Sequence, residues 1–246
     1  MFVGHIGIGF AAKAASPKTS LGTLVLAATL LDALLWTFVI IGLEHIAVKA
    51  GITTTNPLDL YDYPISHSLF MAVFWGVLMA GTYYGIRKYA RGALLIFTVV
   101  VSHWILDFVS HRRDMPIAAG IHHYYYGLGL YNSRVGMLLV EGLLWSFGIA
   151  LYERATRSKK RAGIWTLYIG VAILTWLWIG SLNGGAPHAT ISQIGIISLV
   201  FLAITVAWAY VVDKLRLTAA GTSDAPLPCR PPRYPSVASS TNDDQR

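Results

Sequence analysis

Six blocks of almost uninterrupted apolar residues limit what this chain can become: Leu21–Leu43, Ser68–Ile86, Gly92–Ser110, Val135–Tyr152, Gly163–Gly180 and Ile191–Val212. Each is about 18 to 24 residues long, and a helix needs about 20 to cross some 30 Å of hydrocarbon. Lipid offers no partner to a bare N–H or C=O, so a segment inside it must bond its own backbone as a helix. The blocks therefore predict an all-α integral membrane protein with about six transmembrane helices. Composition agrees: 55% of the 246 residues are hydrophobic and 13% charged, against about 25% charged in an average soluble domain. Breaks such as Thr55-Asn56-Pro57, Arg87-Lys88-Tyr89-Ala90-Arg91 and Gly184-Gly185-Ala186-Pro187 supply the turns.

Met1–Ala15 is apolar but too short to cross alone, and is expected as a short membrane-embedded helix. It has no basic leading segment and carries His5 in its apolar part, which argues against a cleaved signal peptide. Residues 1–217 form the expected helical membrane domain. Residues 218–246, rich in Pro, Ser, Thr and Asp, are expected to be a disordered cytoplasmic tail. The single cysteine, Cys229, falls in that tail, so a disulfide framework is excluded and any metal must be held by His and carboxylate.

A net charge of +7 might suggest nucleic acid, but the positions of the cations decide otherwise. Alternate loops carry Lys13 and Lys18; Arg87, Lys88 and Arg91; Arg154, Arg157, Lys159, Lys160 and Arg161; and Lys214 and Arg216. The other side holds only Lys49, Arg112, Arg113 and Arg134. Excess Lys and Arg mark the cytoplasmic side, so the first span runs outward and both ends of the bundle are cytoplasmic. The expected location is the plasma (inner) membrane, multi-pass. The expected partners are membrane lipids, which the basic residues would anchor, and no nucleic acid.

Ionisable residues inside a bilayer are costly, by about 2.5–3.5 kcal/mol for a central Asp on insertion scales. Asp32, His103, Asp107 and Glu141 are such residues. His103, Asp107 and His111 fall at i, i+4 and i+8, which places them on one stripe of a helix. At about 1.5 Å per residue His103 lies about 16 Å deep, Asp32 about 18 Å and Asp107 about 22 Å, with Glu141 level with Asp107. His67 would open the second span level with His111, and His5 would reach about 15 Å if its segment enters from the inner face. His5, Asp32, His67, His103, Asp107, His111 and Glu141 can then form one outward-opening cluster. Simple helix packing remains open for each. His45, His122, His123 and His188 fall in outer loops, where exposure is expected. Tyr124-Tyr125-Tyr126 and Trp165, Trp176 and Trp178 read as interfacial belts or as packing in lipid.

The set Gly4-His5-Ile6-Gly7, Asp32, His67-Ser68 and His103-x-x-x-Asp107 resembles the YdjM-like inner-membrane proteins, described as LexA-binding, membrane-bound, metal-dependent hydrolases. The likeness covers residues 1–115. It implies a hydrolase using a divalent metal, zinc first, with His5, Asp32, His67, His103 and Asp107 as metal ligands; His111, from its place on the helical stripe, is an extra ligand candidate that the family pattern does not supply. This chain departs from the family pattern in keeping one Asp at Leu30-Leu31-Asp32-Ala33 and in carrying Asp62 where a His is usual; Asp62 could still serve as an oxygen ligand.

On this reading Glu141 or Asp32 is the catalytic proton acceptor, and Arg112 and Arg113 bind an anionic group of the substrate at the mouth. A small molecule or a lipid-derived phosphoester is the expected substrate. The alternative function is a transporter or proton relay built from the same buried residues. Broken helices would favour that alternative, and no proline lies within the six blocks.

Overall fold

A computed structural model of the protein describes residues 1–118 and 125–218. Residues 219–246 of the expected tail, with Cys229, lie outside the described residues, as do the His122-His123 pair and Tyr124.

The chain is mostly helical. Helices α1 (Val3–Ala15), α2 (Leu21–Ala28), α3 (Leu30–Ile40), α4 (Pro64–His67), α5 (Leu69–Arg87), α6 (Ala90–Ser110), α7 (Arg134–Ala155), α8 (Arg161–Ser181) and α9 (Ile191–Lys214) follow in order. Among the described residues the last five are long and apolar enough to cross a membrane, and the count becomes six if α2 and α3 are one span. The loops add short extended pieces. Strands β1 (His45–Val48) and β2 (Leu58–Asp62) pair antiparallel, and Met115–Pro116 pairs with Tyr125–Tyr126 as Thr156–Ser158 does with Arg216–Thr218.

Helix starts follow local chemistry. Ser20, Ser68 and Ser133 each accept a backbone N–H three residues on, and Thr190 forms a reciprocal capping box with Gln193. At one end of the bundle Lys13 Nζ donates to Thr19 O at 2.8 Å and Asp213 Oδ2 at 2.9 Å, and Lys159 donates to Lys214 O. This is the basic end. At the other, Thr54 and Thr55 bond the carbonyls of Asn132 and Tyr131, and Phe70 N bonds Ile117 O.

The first apolar block is not a single straight helix: α2 and α3 meet at Thr29 with a bend of 56°. Neither Pro nor Gly stands at the break. Thr29 Oγ1 instead donates to Val25 O at 2.9 Å, and its N–H is shared between Val25 O and Leu26 O; such back-bonding competes with the helical ladder and bends it.

Helix α1 sits inside the bundle between α7 and α2, with Val3, Ile6 and Phe10 buried. Glycines permit this. A Cβ on Gly7 would stand 2.6 Å from Leu144 O, and one on Gly9 would stand 3.1 Å from Leu24 O. The backbones themselves touch, as small residues allow in membrane helix packing.

Candidate metal centre

Four elements deliver the polar groups to one place. The α3 start supplies Asp32, the end of α4 His67, α6 His103 and Asp107, and α1 His5. His103 Nε2 lies 3.0 Å from Asp107 Oδ2 and 3.6 Å from Asp32 Oδ1. His67 Nε2 lies 3.6 Å from Asp107 Oδ2 and 3.7 Å from Asp32 Oδ1. Four donors about 2.1 Å from a shared ion in a tetrahedron would stand about 3.4 Å apart. The four His–carboxylate separations bracket that value, and two overlapping triads, one of Asp32, His67 and His103 and one of His5, His103 and Asp107, are each geometrically able to hold a metal ion.

Proton positions support the fit. His103 Nδ1 lies 2.7 Å from Ala28 O, a carbonyl that can only accept, so Nδ1 carries the hydrogen. In the neutral ring Nε2 then presents a lone pair to two carboxylates, and this buried atom has no hydrogen-bond partner. A cation between them turns a repulsion into coordination. The Ala28 carbonyl lies in the last turn before the Thr29 bend, so the broken helix sets the tautomer of His103.

His5 belongs to the same cluster through Asp107. Its Nε2 is 3.0 Å from Asp107 Oδ1, and its ring stacks on His103 at 3.7 Å and 3°. The Met1 backbone nitrogen also approaches Oδ1, at 2.6 Å. One face of the Asp107 carboxylate is thus turned to α1 and the other to His67 and His103.

Glu44, which belongs to no motif of the sequence, supports His67. Ser66 Oγ donates to Glu44 Oε2 at 2.6 Å and sits 2.8 Å from His67 Nδ1, while the N–H groups of Ile65 and Ser66 donate to Glu44 Oε1 at 2.7 Å each. Burial pushes the Glu44 carboxyl up from its ordinary value, and these bonds oppose the shift. The chain Glu44–Ser66–His67 leaves His67 Nε2 free to face the site, the outer-shell arrangement that orients metal-bound imidazoles. Glu44→Gln and Ser66→Ala are expected to weaken metal affinity about 10–100-fold, and Ser66→Thr to retain it. Competition titration against a chromophoric chelator measures each.

The remaining expected site residues have other partners. Helix α6 ends at Ser110, and His111 has extended backbone (φ −70°, ψ 152°). It leaves the His103–Asp107 stripe, and its Nδ1 pairs with Asp114 Oδ1 at 3.1 Å. Glu141 is not poised as a proton acceptor: Oε1 accepts from Phe2 N and from Gly4 N at 3.1 Å, and Oε2 from Trp178 Nε1 at 2.6 Å. A carboxylate there satisfies the bare N–H groups and positive pole of the α1 start. Trp178 is correspondingly buried, not interfacial, while Trp165 and Trp176 are exposed. Arg112 is bonded to Asp59 and Asp114, and Arg113 is exposed. Asp62 pairs with exposed His45 at 2.8 Å, away from the cluster.

A cavity of about 400 Å³ opens onto the cluster, with Asp32, His67, Asp107 and His111 on its lining. Most of its walls are apolar, and neither Arg112 nor Arg113 reaches it. Comparison of the chain with protein-family models, with curated proteins and with solved structures returns no match.

Proposed function

We propose that the protein is a multi-pass membrane hydrolase whose divalent metal, zinc first, is held by Asp32, His67, His103 and Asp107. The observation that carries this reading is the set of four His–carboxylate separations, 3.0–3.7 Å, that link Asp32, His67, His103 and Asp107. The basic end faces the cytoplasm of a cell's plasma (inner) membrane, with residue 218 on that side, and the cavity opens toward the opposite face. Kinship with the YdjM-like hydrolases is part of the proposal and rests on the His and Asp positions quoted above.

When bound, a divalent cation supplies Lewis acidity and a water acidic enough to attack near neutral pH. The chain's own residues do the rest. Asp32, with a side chain 29% exposed, is the acid most open to the cavity and takes the proton released by the attack. His5 and the α1 start fix the Asp107 carboxylate. Glu141 holds α1 in place and does not exchange protons with substrate.

The test is metal content and hydrolysis on detergent-purified protein. One tightly bound metal per chain is expected, with turnover of acyl-ester or phosphoester amphiphiles that falls at least about 100-fold in Asp32→Asn, the scale of losing a proton acceptor. Protein free of metal after loading with zinc, manganese or iron overturns the reading. The bend at Thr29 favours a second function, a transporter or proton relay, since broken helices mark such sites. Metal-independent proton flux in proteoliposomes, lost in His103→Gln and without hydrolysis, establishes that function instead.

A further inference from the structure

The cavity has an asymmetry that the metal cluster does not require. Its floor is acidic and imidazole-lined, whereas Leu35 and Trp36 of α3 and Ile197, Phe201 and Leu202 of α9 form a continuous apolar flank. Ile197 is 65% exposed on the outer surface of the helix bundle, so this flank reaches what would be lipid. At about 1.5 Å per residue, Ile197 lies about 9 Å and Phe201 about 15 Å into α9, while Asp32 lies about 12 Å from the same end of α3. The polar floor and the apolar flank therefore share one depth. Leu202 also borders a second groove of about 460 Å³ between α9 and the α2–α3 bend, lined by Thr29, Ala33 and Leu199.

Charge narrows what can enter. Among the described residues neither Lys nor Arg lines the cavity, and Arg112 is committed to Asp59 and Asp114. Asp32 and Asp107 balance one divalent ion, and no described Lys or Arg side chain is left there to pair with a polyanionic head. Burying unpaired charge is costly.

From this geometry we infer that the site takes a membrane lipid sideways through the α3–α9 flank, its chain along Ile197, Phe201 and Leu202 and a head of at most one negative charge at Asp32 and Asp107. This deepens the proposed hydrolase and rests on that reading for its membrane setting and metal. It replaces the expectation of a phosphate clamp by Arg112 and Arg113.

The experiment uses the full chain in vesicles containing phosphatidylcholine with a diazirine on one acyl chain. Crosslinks are mapped by mass spectrometry, and metal content is measured on the same samples. Saturable labelling of residues 32–36 and 197–202 is expected, competed by unlabelled phosphatidylglycerol and not by a polyprenyl diphosphate. Phe201→Trp and Ser198→Trp, which overfill the flank, should reduce it roughly tenfold and keep bound metal. Labelling confined to general lipid-facing positions such as Phe70, or equal in both variants and wild type, overturns the inference. Competition by the diphosphate overturns the assignment of the head. Wild type that binds metal but is not labelled in the cavity sinks the lipid route alone; labelling without metal sinks the metal reading alone.

Discussion

Asp107→Asn is expected to abolish tight metal binding, with affinity falling about a thousandfold or more, beyond the about 10–100-fold typical of losing an outer partner. Asp107 is the residue on which the cluster converges. One oxygen faces His67 and His103 at 3.6 and 3.0 Å, and the other faces His5 at 3.0 Å. The amide keeps the shape but replaces one oxygen by a donor, which meets the lone pair of either His103 or His5. Thermal melting reports the same loss. Metal at a thousand times its dissociation constant adds about 4 kcal/mol to a folded protein that alone binds it, so wild type should melt higher with metal than with chelator, and Asp107→Asn should melt alike in both. A metal-dependent shift that survives in Asp107→Asn contradicts the assignment. His103→Ala is a less clean probe, because it also strips the Ala28 carbonyl of its partner, at a further cost of about 1–3 kcal/mol.

Gly7→Val breaks the protein from a position that touches no ligand. The new Cβ alone would stand 2.6 Å from Leu144 O and 3.0 Å from Trp145 Cα, and both are backbone atoms that no rotamer change can move. Overpacking a core ordinarily costs about 1–3 kcal/mol, and here α1 must withdraw from α7 as well. Its start then leaves Glu141, and His5 leaves Asp107. We expect at least about 3 kcal/mol of lost stability together with weakened metal binding, read from melting and from metal titration of the same sample. Gly81→Ala is the contrast: nothing lies within 4 Å of its added Cβ, and substituting Ala in an exposed helix position is neutral or mildly stabilising. Equal behaviour of the two variants would contradict the packing account.

The helices were legible because burial in lipid demands apolar runs of fixed length: the block Gly92–Ser110 differs from α6 by two residues at its start. The i, i+4 spacing placed His103 and Asp107 on one face, and helical rise set Asp32 at a matching depth. Where the regular helix stops, that arithmetic stops too. His111 left the stripe because α6 ends one residue earlier and Asp114 offers it a partner. The Thr29 bend was invisible, since neither Pro nor Gly announces it and its cause is a hydroxyl bonding its own helix. Glu141 carried the signal of an ionisable group in a span, but its partners, the N–H groups of Phe2 and Gly4, lie 137 or more residues away in sequence. Glu44 could have been found as the acid at the end of the first block, directly before His45.

X-ray absorption spectroscopy of zinc-loaded wild-type protein examines the central claim most directly, because it counts the atoms around the ion. The structure predicts a first shell of nitrogen and oxygen at about 2.0–2.2 Å, with the outer-shell scattering of two imidazoles from His67 and His103. Loss of one imidazole contribution is expected in His67→Ala, leaving the other from His103. A shell with no imidazole scattering, or one that His67→Ala leaves unchanged, contradicts the convergence of these side chains on one ion.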